Sequence, residues 1–147
     1  MYQKILLALE HTETDAALLE HIPTLAGLTR SELLLLHVAD GWAARNFDQL
    51  QLAASEEMRD DWEYLERTAE ELRKQNFVVN IRLALGNPPR QILAVAREEG
   101  CDLIAMVSHG HKLLSDIIRG STIDTVRHES PVPILAIPAL KSGKAQD

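Results

Sequence analysis

Two clusters of polar residues stand out, and the first of them has the types and spacing to hold an anionic ligand. One is Ser108-His109-Gly110-His111-Lys112, followed after a spacer by Gly120-Ser121-Thr122. Glycines let the backbone approach an anion closely, and the unpaired N–H groups of a helix starting near residue 121 add donors and the positive end of its dipole. The hydroxyls of Ser121 and Thr122 stand at the same place. Phosphates can be held in this way without an obligatory cation. Taken alone, two glycines ten positions apart are explained nearly as well by a tight turn and a helix start. The other cluster is Glu10-His11-Thr12-Glu13-Thr14-Asp15, in which Thr12 or Thr14 is expected to cap a helix. His109 and His111 have no third metal ligand near them, so a solvated loop is the expectation for that stretch.

These clusters must be positioned by the elements around them. Four apolar runs, Ile5–Leu9, Leu33–Val38, Leu103–Val107 and Pro133–Ile137, are continuous, and a fifth, Val78–Leu85, partly alternates. Continuous apolar strands are covered on both faces. Helical patterns separate them. Residues 13–28 place Leu18, Ile22, Leu25 and Ala26 on one face, with Pro23 expected to kink or shorten the helix. Residues 49–75 place Met58, Trp62, Leu65, Ala69 and Leu72 on a stripe expected to pack in the core. Pro88-Pro89 opens a helix that Gly100 ends, and a last one covers 121–129. Strand and helix alternating in this way predict one doubly wound α/β domain with a parallel sheet over residues 1–140, and residues 141–147 form a frayed tail.

Composition narrows the function. Across 147 residues, 15 Lys and Arg stand against 22 Asp and Glu, a formal net charge of −7. That balance offers no basic footprint for nucleic acid. No apolar run approaches the ~18 residues of a membrane span, and the N-terminal run is too short for a signal peptide, so a cytoplasmic protein is expected. The single cysteine, Cys101, reads as a small buried residue and not as a redox group.

Gly110, nine intervening residues and Gly120-Ser121, preceded by Asp102–Met106 and followed by Pro131–Leu135, resemble the C-terminal signature of the universal stress protein family. Ile5–Glu10 with Thr12-Glu13, Leu36-His37-Val38 and Gly86-Asn87-Pro88 match in the same order, so the resemblance spans about residues 3–138. It implies a Rossmann-like fold of the adenine nucleotide alpha hydrolase type, five parallel strands in order 3-2-1-4-5, and homodimerisation through the last strand, about Val132–Ile137. It also implies ATP, or AMP or ADP, at the carboxyl edge of strands one and four, with Mg2+ accompanying the phosphates. The binding residues are then expected at Leu9, Glu10, His11, Val38, Met106, Val107, His109, Gly110, Gly120, Ser121 and Thr122. Among these, the resemblance gives Glu10 to the nucleoside, Val38 to the adenine pocket and Gly110, Gly120 and Ser121 to phosphate.

Two positions depart from the family pattern. Val107 stands where the signature has its first glycine, so either the backbone there is extended and the side chain is accommodated, or the pocket narrows near the α-phosphate. Glu10 is one methylene longer than the more usual Asp. Both are expected to crowd the site. The leading expectation is a small regulatory dimer that senses an adenine nucleotide and reports to a partner protein, with no catalytic residue assigned. The alternatives are a slow Mg2+-dependent ATPase and an interaction protein that binds no nucleotide.

Overall fold

In the computed structural model, which describes residues 1–40, 47–109 and 122–139 with Asp40 and residues 47–55 by backbone alone, the apolar run Ile5–Leu9 is buried along its whole length. The reason lies in the layering. Ile5, Leu7 and Leu9 of β1 (Lys4–Leu9) belong to one core layer, and Leu6 and Ala8 belong to the other. Side chains alternate across a strand, so a sheet covered on both faces needs apolar residues at every position. β2 (Glu32–Asp40) obeys the same rule, with Leu33 and Leu35 on one side and Leu34 and Leu36 on the other. So does β4 (Leu103–Ser108), where Ala105 and Val107 oppose Ile104 and Met106.

With β3 (Val79–Gly86) and β5 (Ile134–Pro138) these strands form one parallel sheet in the order β3-β2-β1-β4-β5, the order that the resemblance implies. The first layer is completed by α1 (Asp15–Thr29) through Leu18, Ile22 and Ala26, and by α2 (Phe47–Arg73) through Leu65, Ala69 and Leu72. The second is completed by α3 (Pro88–Glu99) through Ile92, Val95 and Ala96, and by α4 (Thr122–Glu129) through Val126.

The helix limits follow local chemistry. Asn87 caps α3, its side-chain oxygen accepting from the Arg90 N–H at 3.0 Å, with Pro88 opening the first turn. Gly100 closes the helix at φ 70°, a left-handed position that suits glycine. Two expectations need correction. Pro23 does not shorten α1, which runs unbroken from Asp15 to Thr29. Trp62 is not a core residue but is 42% exposed. The buried stripe of α2 instead runs through Asp61, Leu65, Thr68 and Leu72, and Trp62, ~100° around the helix from Asp61, falls at its margin.

The amino end of the sheet is tied by Asp102. Its carboxylate accepts from the backbone N–H groups of Gln3 at 2.9 Å and Lys4 at 3.0 Å, binding the start of β1 to the start of β4. Burial opposes ionisation of this carboxyl, yet the donated N–H groups of Lys4 and Gln3 outweigh it and hold its pKa below the ordinary value. Next to it, Cys101 is buried, and loss of solvation pushes its thiol up to about 11, as suits an inert core residue. Among the described residues no helix is long and apolar enough to cross a membrane.

Replacing Asp102 with Asn leaves one of the two N–H groups without its acceptor and should cost about 1–2 kcal/mol. Because folding lowers this pKa, the carboxylate's contribution is complete above the ordinary Asp value of about 3.9 and is lost as pH falls through the lower folded-state value. Urea denaturation of both proteins at pH 7 and pH 3 should therefore show the difference narrowing in acid.

Candidate functional site

β1 and β4 are neighbours at the centre of the sheet, but the chain turns away from them on opposite faces. α1 follows β1 on the first layer, and α4 is the next described element after β4, on the second. A crevice opens between such departures at the carboxyl ends of the strands. It is occupied by a cavity of about 630 Å3. Ala8, Leu36, Val38, Ile92 and Met106 line its apolar part, and Glu10, Ser108, His109, Thr122 and Asp124 supply polar groups. Among the described lining residues there is no lysine or arginine.

The corner after β1 carries Glu10 into this cavity. His11 adopts a left-handed backbone at φ 62°, which for a non-glycine residue requires support from its surroundings. The support is Asp15, 1% exposed, whose carboxylate accepts from the N–H groups of Glu10 at 2.8 Å and His11 at 2.9 Å. The hydroxyl of Tyr64 on α2 donates to the same carboxylate. Burial, the hydrogen bond to Asp15 and its charge together push the Tyr64 pKa far upward, so the phenol keeps its proton and remains a donor. Asp15 does not supply the cap expected of the threonines, since it accepts from N–H groups that precede the helix. Thr14 occupies the cap position of α1 at φ −68° and ψ −18° with no side-chain cap bond.

A second network lies behind the corner. The His11 ring stacks on Tyr64 with centroids 4.1 Å apart and places Nδ1 2.7 Å from Oδ1 of Asp61. Asp61 is buried, and its Oδ2 is 3.5 Å from Nε2 of His37. Nδ1 of His37 lies 2.9 Å from the Leu9 carbonyl oxygen, which can only accept, so that nitrogen carries the proton. His37 also lines the cavity. α2 therefore reaches the site through two buried carboxylate contacts. At the mouth, Nε2 of His109 is 2.9 Å from both carboxylate oxygens of Glu10, and Thr14 Oγ1 donates to Glu10 Oε1 at 3.1 Å.

Of the residues expected at the site, Leu9, Glu10, Val38, Met106, Val107, His109 and Thr122 are brought together around this cavity. His11 is not among them, because its ring turns towards α2. Gly110, Gly120 and Ser121 lie outside the described residues, as do His111, Lys112 and the tail at 141–147. Val107 borders the cavity from an extended strand, paired with Ile137, and its side chain belongs to the layer of Leu7 and Leu9, opposite Met106. Of the two arrangements open at Val107, the extended one holds, and its isopropyl group packs in the layer away from the cavity's apolar wall. Asp61 and Tyr64 escape the sequence reading, since nothing local in α2 marks them. His37 carried a signal as a polar residue within an apolar strand.

A model of the universal stress protein family matches residues 1–138. The chain is 29% identical to universal stress protein MJ0577 of Methanocaldococcus jannaschii, with 93% of this chain and 95% of that protein covered. The solved structure of MJ0577 superposes with a TM-score of 0.84 at 30% identity, covering 97% of this chain and 99% of that one. The same fold is shared by a universal stress protein solved in complex with cAMP, with a TM-score of 0.72 at 14% identity and 93% and 97% of the two chains covered. It is shared too by the universal stress protein from Archaeoglobus fulgidus in complex with dAMP, with a TM-score of 0.68 at 20% identity and coverage of 92% and 98%.

Tyr64→Phe keeps the ring against His11 and removes only the donor to Asp15. A hydrogen bond to a charged group is worth about 1.5–3 kcal/mol, which for a domain of this size lowers the melting temperature by roughly 3–10 °C. Calorimetry of the variant checks this, and an unchanged melting temperature would mean that the two backbone N–H groups hold Asp15 unaided.

Proposed function

The chain belongs to the universal stress protein family, and on that premise we propose that its cavity binds an adenine nucleotide and that the protein works as a small cytoplasmic sensor. The observation that carries this reading is the cavity itself, an apolar slot at the carboxyl edge of β1 and β4 with a carboxylate at its mouth. A volume of about 630 Å3 lies within the range of small-molecule sites. The flat apolar base fits between Val38, Leu36, Ile92 and Met106, and Glu10 accepts from ribose hydroxyls. Two relatives sharing the fold are complexes with cAMP and dAMP, which supports an adenine ligand here.

The phosphates face donors without full positive charge, the hydroxyls of Ser108 and Thr122 and the amino end of α4. Gly110, Gly120 and Ser121 would complete this set. ATP is the proposed ligand, with Mg2+ carried on its phosphates, and AMP and ADP are its competitors.

The assembly proposed is a homodimer through β5. That strand ends the sheet order, and Val132, Ile134 and Leu135 are only partly buried beside an edge that no described strand pairs. Unpaired backbone groups on an apolar edge invite a partner strand. Occupancy of the cavity would then be reported to a regulatory protein partner.

Isothermal titration should show a single site for ATP with weaker binding of GTP. At ~100 times its dissociation constant, ATP should stabilise the fold by about 2.7 kcal/mol; no heat and no thermal shift with ATP, ADP or AMP at millimolar concentration would refute the reading. Sedimentation equilibrium at micromolar concentration should give twice the 16.4 kDa chain mass, and Leu135→Asp should return the monomer.

A further inference from the structure

The carboxylate of Glu10 has its donors already. Thr14 Oγ1 donates to Oε1 at 3.1 Å, and Nε2 of His109 lies 2.9 Å from Oε1 and 2.9 Å from Oε2. A carboxylate only accepts, so this ring nitrogen carries a proton, in the neutral imidazole as in the charged one. The contact joins residues 99 apart in sequence. They meet because β1 and β4 are adjacent and both residues border the cavity just beyond their strands.

The position of His109 is the edge that a pair of neighbouring hydroxyls needs. A vicinal diol presents two O–H donors to the two oxygens of a carboxylate, and the single N–H of His109 now spans both. The two cannot occupy that edge together. Side-chain exposures of 40% for Glu10 and 24% for His109 make the pair weak enough to exchange, since partly solvated ion pairs contribute little.

We propose that His109 is an internal competitor for the Glu10 carboxylate, which a ligand displaces by supplying a vicinal diol and which thereby narrows the advantage of a ribonucleoside over its dideoxy analogue. In the free protein the contact occupies the Glu10 carboxylate, and it gives way to ribonucleosides. Ligands that lack the diol bind with the contact left in place. This inference rests on the nucleotide reading of the cavity given above.

Adenosine and 2′,3′-dideoxyadenosine separate the two ideas, because neither carries phosphate. His109→Ala removes the competitor, so adenosine should bind about three- to tenfold more tightly while dideoxyadenosine is unchanged. His109→Gln keeps an N–H donor and should hold the affinity ratio near that of the unaltered protein. In the ligand-free protein, the ring 15N resonances of His109 should move on Glu10→Gln, and adenosine should move them in the same direction. If His109→Ala binds both nucleosides as the unaltered protein does, the competitor role is overturned and the nucleotide reading stands. If neither protein binds adenosine and the ring signals stay fixed on its addition, both are overturned.

Discussion

A parallel strand cannot be joined to its neighbour by a hairpin, so each strand here discharges its chain at the same edge of the sheet. Where successive crossovers stay on one side of the order, as from β1 through β2 to β3, the loops follow one another. Between β1 and β4 the helices that follow lie on opposite faces, and among the described residues no backbone fills the gap. The cavity is a consequence of that reversal, before any particular side chain is considered. Its walls are apolar because the strands beneath it are buried on both faces, and its rim is polar because the loops are where the chain returns to water.

An open crevice needs its edges held. The corner after β1 contains a histidine in a left-handed conformation, and the fold fixes it with buried carboxylates and not with the threonines of the turn. Asp15 takes two backbone N–H groups and a phenolic proton, while Asp61 stands between His11 and His37. A buried carboxylate is costly unless its oxygens are satisfied, so each of these contacts constrains the others. The described residues of α2 thereby support the corner that carries Glu10 from the opposite layer, without lining the cavity. Packing within the same layer accounts for Val107, whose bulk is accommodated beside Leu7 and Leu9.

Much of this was legible from residue order alone. Unbroken apolar runs too short for helices suit a sheet shielded on both faces, and Pro88-Pro89 and Gly100 marked a helix because its first turn and its left-handed termination are local events. The family signature spread over many segments, which is why it gave the strand order and the general place of the site. By contrast, Trp62 was misread because its helical phase differs little from that of the buried stripe, and the margin of a stripe is set by what packs beside it. His11 was assigned to the pocket by its neighbours in sequence, whereas Asp61 and Tyr64 turned its ring elsewhere.

What the chain determined by itself is therefore what depends on neighbours within a few residues: periodicity, caps, charge balance and the glycine pattern. Tertiary structure alone decided that Asp15 would serve two backbone donors and a tyrosine from α2, that Val107 would pack away from the cavity wall, and that His109 would meet Glu10. The hydrogen bonds among these join groups from 4 to 99 residues apart. Their distance and direction are fixed only when the sheet assembles, because a hydrogen bond or a packed methyl group is sensitive to tenths of an ångström that no local pattern encodes.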